Sequence, residues 1–199
     1  MKKKILVLLL VIAMILPLAA CGSTVTPTRG EWNDNVYTSE YLGLRVTLPN
    51  GWHAATEAEI AEIMGLSADV MSGVLELDDD FWDNLDDDAS IHDMMATDAL
   101  TGSSVQIMFA RSGRLSASAV MNEVRNEMTA MGVEVTTLSG TTNIGGYDWY
   151  AFDAAMEFFG MTITMRYYIN VESGFARTIV LAPLGDETME DLLAMFSEL

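Results

Sequence analysis

From Tyr147 to Ala182 the chain reads as three β-strands in immediate succession: Tyr147 to Phe158, Met161 to Glu172 and Phe175 to Ala182. Only Phe159-Gly160 and Ser173-Gly174 separate them. Gaps that short hold a reversing turn and nothing more, so the strands must pair antiparallel; a parallel pair needs a crossover of about a dozen residues or more. The middle strand sets Met161, Ile163, Met165, Tyr167, Ile169 and Val171 against Thr162, Thr164, Arg166 and Asn170, which predicts one buried face and one wetter face. Pro183 stops the third strand, and Val133 to Leu138 predicts a further one upstream.

The first half carries the same signals at shorter range. Val36-Tyr37-Thr38 and Leu42 to Leu48 predict a hairpin turning at Ser39-Glu40-Tyr41 and stopped by Pro49-Asn50-Gly51. His92 to Asp98 and Ser103 to Ala110 predict a second, turning at Leu100-Thr101-Gly102, with Val105, Ile107 and Phe109 on one face. Helical signals lie between and after the hairpins. Thr56-x-x-Glu59 is a capping box that opens helix over 57–75. Ser116 or Ser118 caps a helix over 118–131 whose Val120, Val124, Met128 and Met131 share a face, and Gly132 ends it. Asp186 is placed to cap a last helix with Met189, Leu192, Leu193 and Phe196 as its apolar stripe. Amphipathic helices need a sheet to cover, so the expected class is α+β, an antiparallel β-sheet covered by helices.

The N-terminal end carries an address. Met1-Lys2-Lys3-Lys4 is a positive n-region, Ile5 to Leu16 is an uncharged apolar run, and Leu18-Ala19-Ala20-Cys21 has the form of a bacterial lipobox. The apolar run is shorter than the roughly 20 residues a membrane span needs. The expectation is a lipoprotein signal peptide over 1–20, with Cys21, the sole cysteine, carrying acyl chains such as palmitate. Two chains, at about 0.8 kcal/mol per buried CH₂, give a stable anchor. The protein is then expected on the extracytoplasmic face of a bacterial cell membrane. Residues 21–35 are polar, contain Pro27 and Gly30 and lack an apolar period, so they are expected to form a flexible linker ahead of a single α+β domain at 36–199.

Charge narrows the partners. The chain has 10 basic and 29 acidic residues, net −19; all three lysines precede Cys21, so seven Arg against 29 carboxylates leave −22 beyond it. Nucleic acid and anionic bilayer surfaces are poor partners for such a chain, although a lipid anchor holds it to a membrane regardless.

The order of elements resembles the PsbP-like family, the α/β/α sandwich of the photosystem II extrinsic protein and the Ran-binding Mog protein. The residues that carry the resemblance are Tyr41-Leu42-Gly43-Leu44 leading into Leu48-Pro49-Asn50-Gly51-Trp52, the Gly145-Gly146-Tyr147-x-x-Tyr150 start of a long hairpin, and the closing helix. It covers about 36–199. The resemblance implies a sandwich fold and a binding or assembly role with no shared catalytic site, so it transfers no functional residue. The acidic stretch 76–88 departs from the family.

That stretch is the main candidate site. Asp78, Asp79, Asp80, Asp83, Asp86, Asp87 and Asp88 place seven carboxylates in eleven positions, and Ca²⁺ takes six to eight oxygen ligands. The spacing does not fit an EF-hand, since Trp82 stands fifth, no glycine stands sixth and no glutamate closes the loop. The plainer reading is a solvated charge block with Phe81, Trp82 and Leu85 turned to the core. His53 and His92 are the only histidines, too few for a usual zinc site. His92-Asp93 beside Ser90 lacks a nucleophile elbow, and strand neighbours point to opposite faces. Fifteen methionines suit a soft Cu(I) site by chemistry. Their spacing instead suggests core packing, with Met161 and Met165 facing a β core. No cofactor is expected, with Ca²⁺ the one considered.

Three functions follow. The leading one is a non-catalytic, lipid-anchored extracytoplasmic module that binds a protein or envelope partner through a sheet face or the acidic segment. The second is a Ca²⁺-responsive module using Asp78 to Asp88. The third, a hydrolase using His92 or His53, has few parts for the roles it demands.

Overall fold

The computed structural model describes residues 27–56, 58–60, 90–158 and 160–199. Eleven strands among these form two antiparallel sheets. The smaller runs β1-β2-β3-β11, from Glu31–Asn33, Val36–Ser39, Leu44–Thr47 and Phe196–Glu198. The larger runs β4-β5-β6-β10-β9-β8-β7, from Trp52–Ala54, Ser90–Asp98, Ser104–Arg111, Phe175–Ala182, Met161–Glu172, Tyr147–Phe158 and Glu134–Ile144. Chain-adjacent strands pair as the tight turns require, while β10 reaches back to pair with β6 over eight residues.

The main core lies between the sheets. Tyr37, Leu42, Leu44 and Val46 from the small sheet meet Ile107, Phe109, Trp149, Ile179 and Leu181 from the large one. On the other face of the large sheet, helix α1 (Ala117–Ala130) sets Met121 on Phe152, Ala154 and Ile169, flanked by Val120, Val124 and Met128. Ser116 caps it, its side chain accepting from the Ala119 N–H. Helix α2 (Met189–Leu193) inserts Leu192 into the inter-sheet core. The class is therefore α+β, an antiparallel sheet covered by helices.

Four expectations need correction. Glu31–Asn33 lies inside the stretch read as linker yet forms β1, held by pairing to β2 and by Trp32 on the Tyr37 ring. Gly30 is fixed there too, since a Cβ on it would overlap that ring. The last helix is short and capped by Thr188 in a capping box with Asp191, not by Asp186; Phe196 leaves it for β11, opposite Val46. The strand after Gly132 continues to Ile144, with a register shift between Thr137 and Thr141. Met161 lies in solvent, 62% exposed, because the β8–β9 hairpin outruns its neighbours. Of the helix expected over 57–75, residues 58–60 are helical and the Thr56–Glu59 capping box forms; the rest lies outside the described residues.

Candidate functional site

β1 and β2 are joined by Asp34-Asn35, a two-residue turn in which Asp34 takes a left-handed φ of 54°. Aspartate tolerates that region because its short side chain can bond locally. The Asn35 side-chain amide donates to the Leu48 carbonyl at 2.7 Å, and the Leu48 N–H donates to the Asn35 carbonyl at 2.9 Å. The turn is thus tied to the end of β3.

Directly opposite residues of an antiparallel pair share a face. Glu31, Thr38, Arg45 and Ser197 therefore form one row across the outer face of the small sheet, with Asn33, Val36 and Thr47 in the next. Tyr37, Leu44 and Val46 point the other way, into the core. The outer face is concave. Asn33, Asp34, Asn35, Val36, Thr38, Arg45 and Thr47 line an open cleft of about 520 Å³. That volume suits a small ligand, but its lining is hydroxyl, amide and charge where most such sites are apolar.

Arg45 is exposed and makes no ion pair or hydrogen bond among the described residues. A partnerless guanidinium in so acidic a chain offers a planar fork of donors to a carboxylate or phosphate.

Two buried polar clusters lie behind this sheet. Arg177 on β10 is 1% exposed; Nη1 donates to Glu172 at 2.6 Å, and Nε and Nη2 donate to the Asn170 carbonyl oxygen. Its guanidinium carbon lies 4.2 Å from the Tyr147 ring centre, with Trp149 and Tyr41 at 5.6 and 5.8 Å. The second cluster is centred on Asp93, 6% exposed, which accepts from the Tyr37 hydroxyl and, at 3.3 Å, from the Gly30 N–H. Burial pushes the Asp93 carboxyl up to about 6, against the pull of the Tyr37 hydrogen bond, Arg29 and Gly30. Tyr37 is raised well above its ordinary value by the same burial and by the charge of Asp93.

The residues expected to carry function are dispersed. His92 and Asp93 straddle a bulge in β5, which sends Asp93 in between the sheets. His92 is half-buried and held below its usual value by desolvation, with Gln106 pulling the other way. His53 is exposed and meets Glu59 at 3.2 Å. Cys21 and the whole acidic set, Asp78, Asp79, Asp80, Asp83, Asp86, Asp87 and Asp88, lie outside the described residues. Among the described residues no three His, Cys, Asp or Glu side chains gather to hold a metal ion, and no helix is long and apolar enough to cross a membrane. Three of the cleft's seven lining residues, Asn33, Asp34 and Asn35, lie in the stretch read as linker, which hides the cleft from a reading of the sequence. The Asp34-Asn35 pair, a hairpin-turn signal, was the clue available.

No family model and no curated protein matches the chain. Among solved structures it is similar to cyanobacterial PsbP from Synechocystis sp. PCC 6803, with 12% identity over 92% of this chain and 99% of that one, at a TM-score of 0.48. It is also similar to LpqN of Mycobacterium tuberculosis, a protein involved in cell envelope biogenesis, with 12% identity over 76% of each chain at 0.43. A third likeness is to a Bacteroides thetaiotaomicron protein, with 9% identity over 78% of this chain and 45% of that one at 0.41.

Proposed function

We propose that this protein is a lipid-anchored, extracytoplasmic binding module without catalytic activity, and that the outer face of its small sheet takes an anionic, hydroxyl-rich group such as an acidic saccharide of the envelope. The observation that carries this reading is Arg45, a cation without a side-chain partner among the described residues, in a cleft lined mainly by hydroxyls and amides with Asp34 at its turn. The guanidinium would hold a carboxylate or phosphate, while Thr38, Thr47 and Asn33 would meet hydroxyls. A net charge of −22 beyond Cys21 repels polyanions, which limits the ligand to one or two charges.

The anchor supports this placement. Gly30, already fixed against Asp93, stands nine positions after Cys21, and nine residues reach at most about 30 Å even when fully extended. The small sheet would then lie close to the bilayer and the polymers attached to it. Substituting Cys21→Ala should move the protein from the membrane fraction to the soluble one.

Ligand binding is tested by NMR titration of the full chain in detergent micelles with a uronic-acid disaccharide, the matching neutral disaccharide and inorganic phosphate. The uronate should shift the amides of Asn33 to Thr38 and of Arg45, and Arg45→Gln should remove the response. A neutral sugar that binds equally well, or no shift with any probe, would defeat the reading. Phosphate alone binding would reassign the cleft to phosphorylated groups.

A further inference from the structure

The two sheets end in four edge strands, and three of them, β1, β4 and β11, are 3 residues long. Shortness leaves little unpaired backbone for another chain to join. The fourth, β7, is the exception at 11 residues. From Glu134 to Asn143 the backbone groups on its outer edge have no partner among the described residues. It carries neither Lys nor Pro, which commonly blunt such an edge, and its one charged residue is Glu134 at its start.

A row of unpaired backbone donors and acceptors fits an extended polypeptide, and the side chains of β7 select which one. β7 pairs with β8 in two halves, 134–137 and 141–144, separated by the register shift. Across that shift β7 advances from Thr137 to Thr141, while β8 moves from Phe152 to Tyr150. Both advances are even, so the two halves keep one alternation of faces and of inward and outward backbone groups. Antiparallel pairing of β7 with β7 of a second copy, centred on Ser139, therefore matches on both halves. It sets Thr137 against Thr141, Thr136 against Thr142, Val135 against Asn143 and Glu134 against Ile144, each pair sharing a face. Threonine pairs are favourable cross-strand neighbours. At the centre Leu138 falls opposite Gly140, where a Cβ would meet nothing within 4 Å, so the two shifted segments have room to meet.

Charge permits this pairing at β7. Two acidic chains repel, but salt screens that repulsion beyond about 8 Å at physiological ionic strength, so the carboxylates at the seam decide. Glu134 faces an isoleucine of the copy, and the two Glu134 side chains stand at opposite ends of the seam, roughly 30 Å apart. Asp153, one strand further in, is already paired with Arg166. We propose that β7 is the interface of a two-fold dimer, in which the large sheets of two copies join edge to edge into one continuous sheet with both α1 helices on the same face. The edge shares no residue with the small-sheet cleft, so this inference does not rest on the function proposed above.

Disulfide trapping tests the register in the full chain, held in non-ionic detergent and oxidised with copper–phenanthroline. Cys21→Ala makes the introduced thiol the only one. Ser139→Cys brings two thiols together at the axis, where opposed residues lie about 4.5–5.5 Å apart, within the reach of a disulfide, and should give a covalent dimer. Glu134→Cys keeps its thiols at opposite ends of the seam and should give none. Sedimentation of the parent chain in density-matched detergent should show a dimer. Thr137→Glu with Thr141→Glu sets carboxylates against each other at two exposed positions and should weaken it about tenfold, with the circular dichroism unchanged. A parent chain that sediments as a monomer, or a dimer untouched by the paired glutamates, would overturn the proposal. Trapping at Glu134→Cys as strong as at Ser139→Cys would overturn it in favour of parallel or unspecific contact. A monomer whose β7 amides shift on addition of a peptide of alternating Thr and Val would overturn it in favour of a strand from another protein.

Discussion

Arg177 and Arg45 are the same residue type on two sides of one small sheet, and their surroundings assign them opposite work. Arg177, between the sheets, has its donors matched by Asn170 and Glu172 and its faces covered by Tyr147, Trp149 and Tyr41. Glu172 keeps 42% of its side chain in water, so only one member of this pair is desolvated. Arg45, on the outer face, has none of these partners. A guanidinium bonded through each of its three nitrogens is structure; one whose nitrogens bond nothing among the described residues is available to a ligand. Asp93 shows the limit of partial compensation: a buried carboxyl with two hydrogen bonds, and Arg29 as the cation acting on it, is still driven towards its neutral form.

The largest expected effect comes from emptying the inter-sheet site. Arg177→Ala deletes a fully buried long side chain, leaves a cavity among three rings and strands the Asn170 oxygen. It should cost about 3–5 kcal/mol, as for large core truncations. Arg177→Met restores most of the volume without the charge and should cost about 1–3 kcal/mol through the lost cation–π and hydrogen-bond interactions. Urea unfolding of the pair checks this. Equal stability of Arg177→Met and the parent would break the comparison, because the charge would then contribute nothing.

Next comes the buried acid. The Asp93 carboxyl holds its proton at about 6 in the fold against 3.8 for an ordinary aspartate. Its contribution is therefore free of penalty below about pH 4, is lost progressively as pH rises through 4–6, and stays lost above 6. Asp93→Asn removes that titration and should stabilise the protein by about 1–3 kcal/mol above pH 6, with little gain at pH 4. The difference in melting temperature between the two proteins across pH 4–8 isolates this group. Exposed carboxylates held low by their caps, Glu59 and Asp191, titrate below that window in both proteins. A difference that does not change with pH would remove Asp93 as the titrating group.

What could be read in the sequence follows from range. Val105, Ile107 and Phe109, the turns at Gly160 and Gly174, and the apolar face of α1 are signals between near neighbours, and the strands and helix they predict are present. The second sheet is different. Its β11 pairs with β3 about 150 positions away, and its β1 has no alternation of its own, only the edge of β2 and the Tyr37 ring. Arg177 in Phe175-Ala176-Arg177-Thr178 reads as a residue for the wet face of a strand, because the rings that cover it come from Tyr41, Tyr147 and Trp149. Asp93 is turned inward by a bulge that no residue type announces. For the cleft, the hydroxyls and Arg45 are visible as letters, but the absence of a partner for Arg45 exists only after folding.

The smallest expected effect on stability is the most informative about function. Arg45→Gln removes an exposed cation with no side-chain partner to lose among the described residues, so its change in unfolding free energy should stay within about 0.5 kcal/mol. Glutamine keeps two of the three methylenes and an amide donor but not the charge or the fork. A cost well above that range, measured by the same urea titration, would mean that Arg45 does structural work after all. The contrast with Arg177 would then vanish, and with it the reason to assign the cleft a ligand. If stability is untouched while the uronate response disappears, the two arginines separate cleanly, because the side chain without a partner among the described residues is the one that a ligand needs.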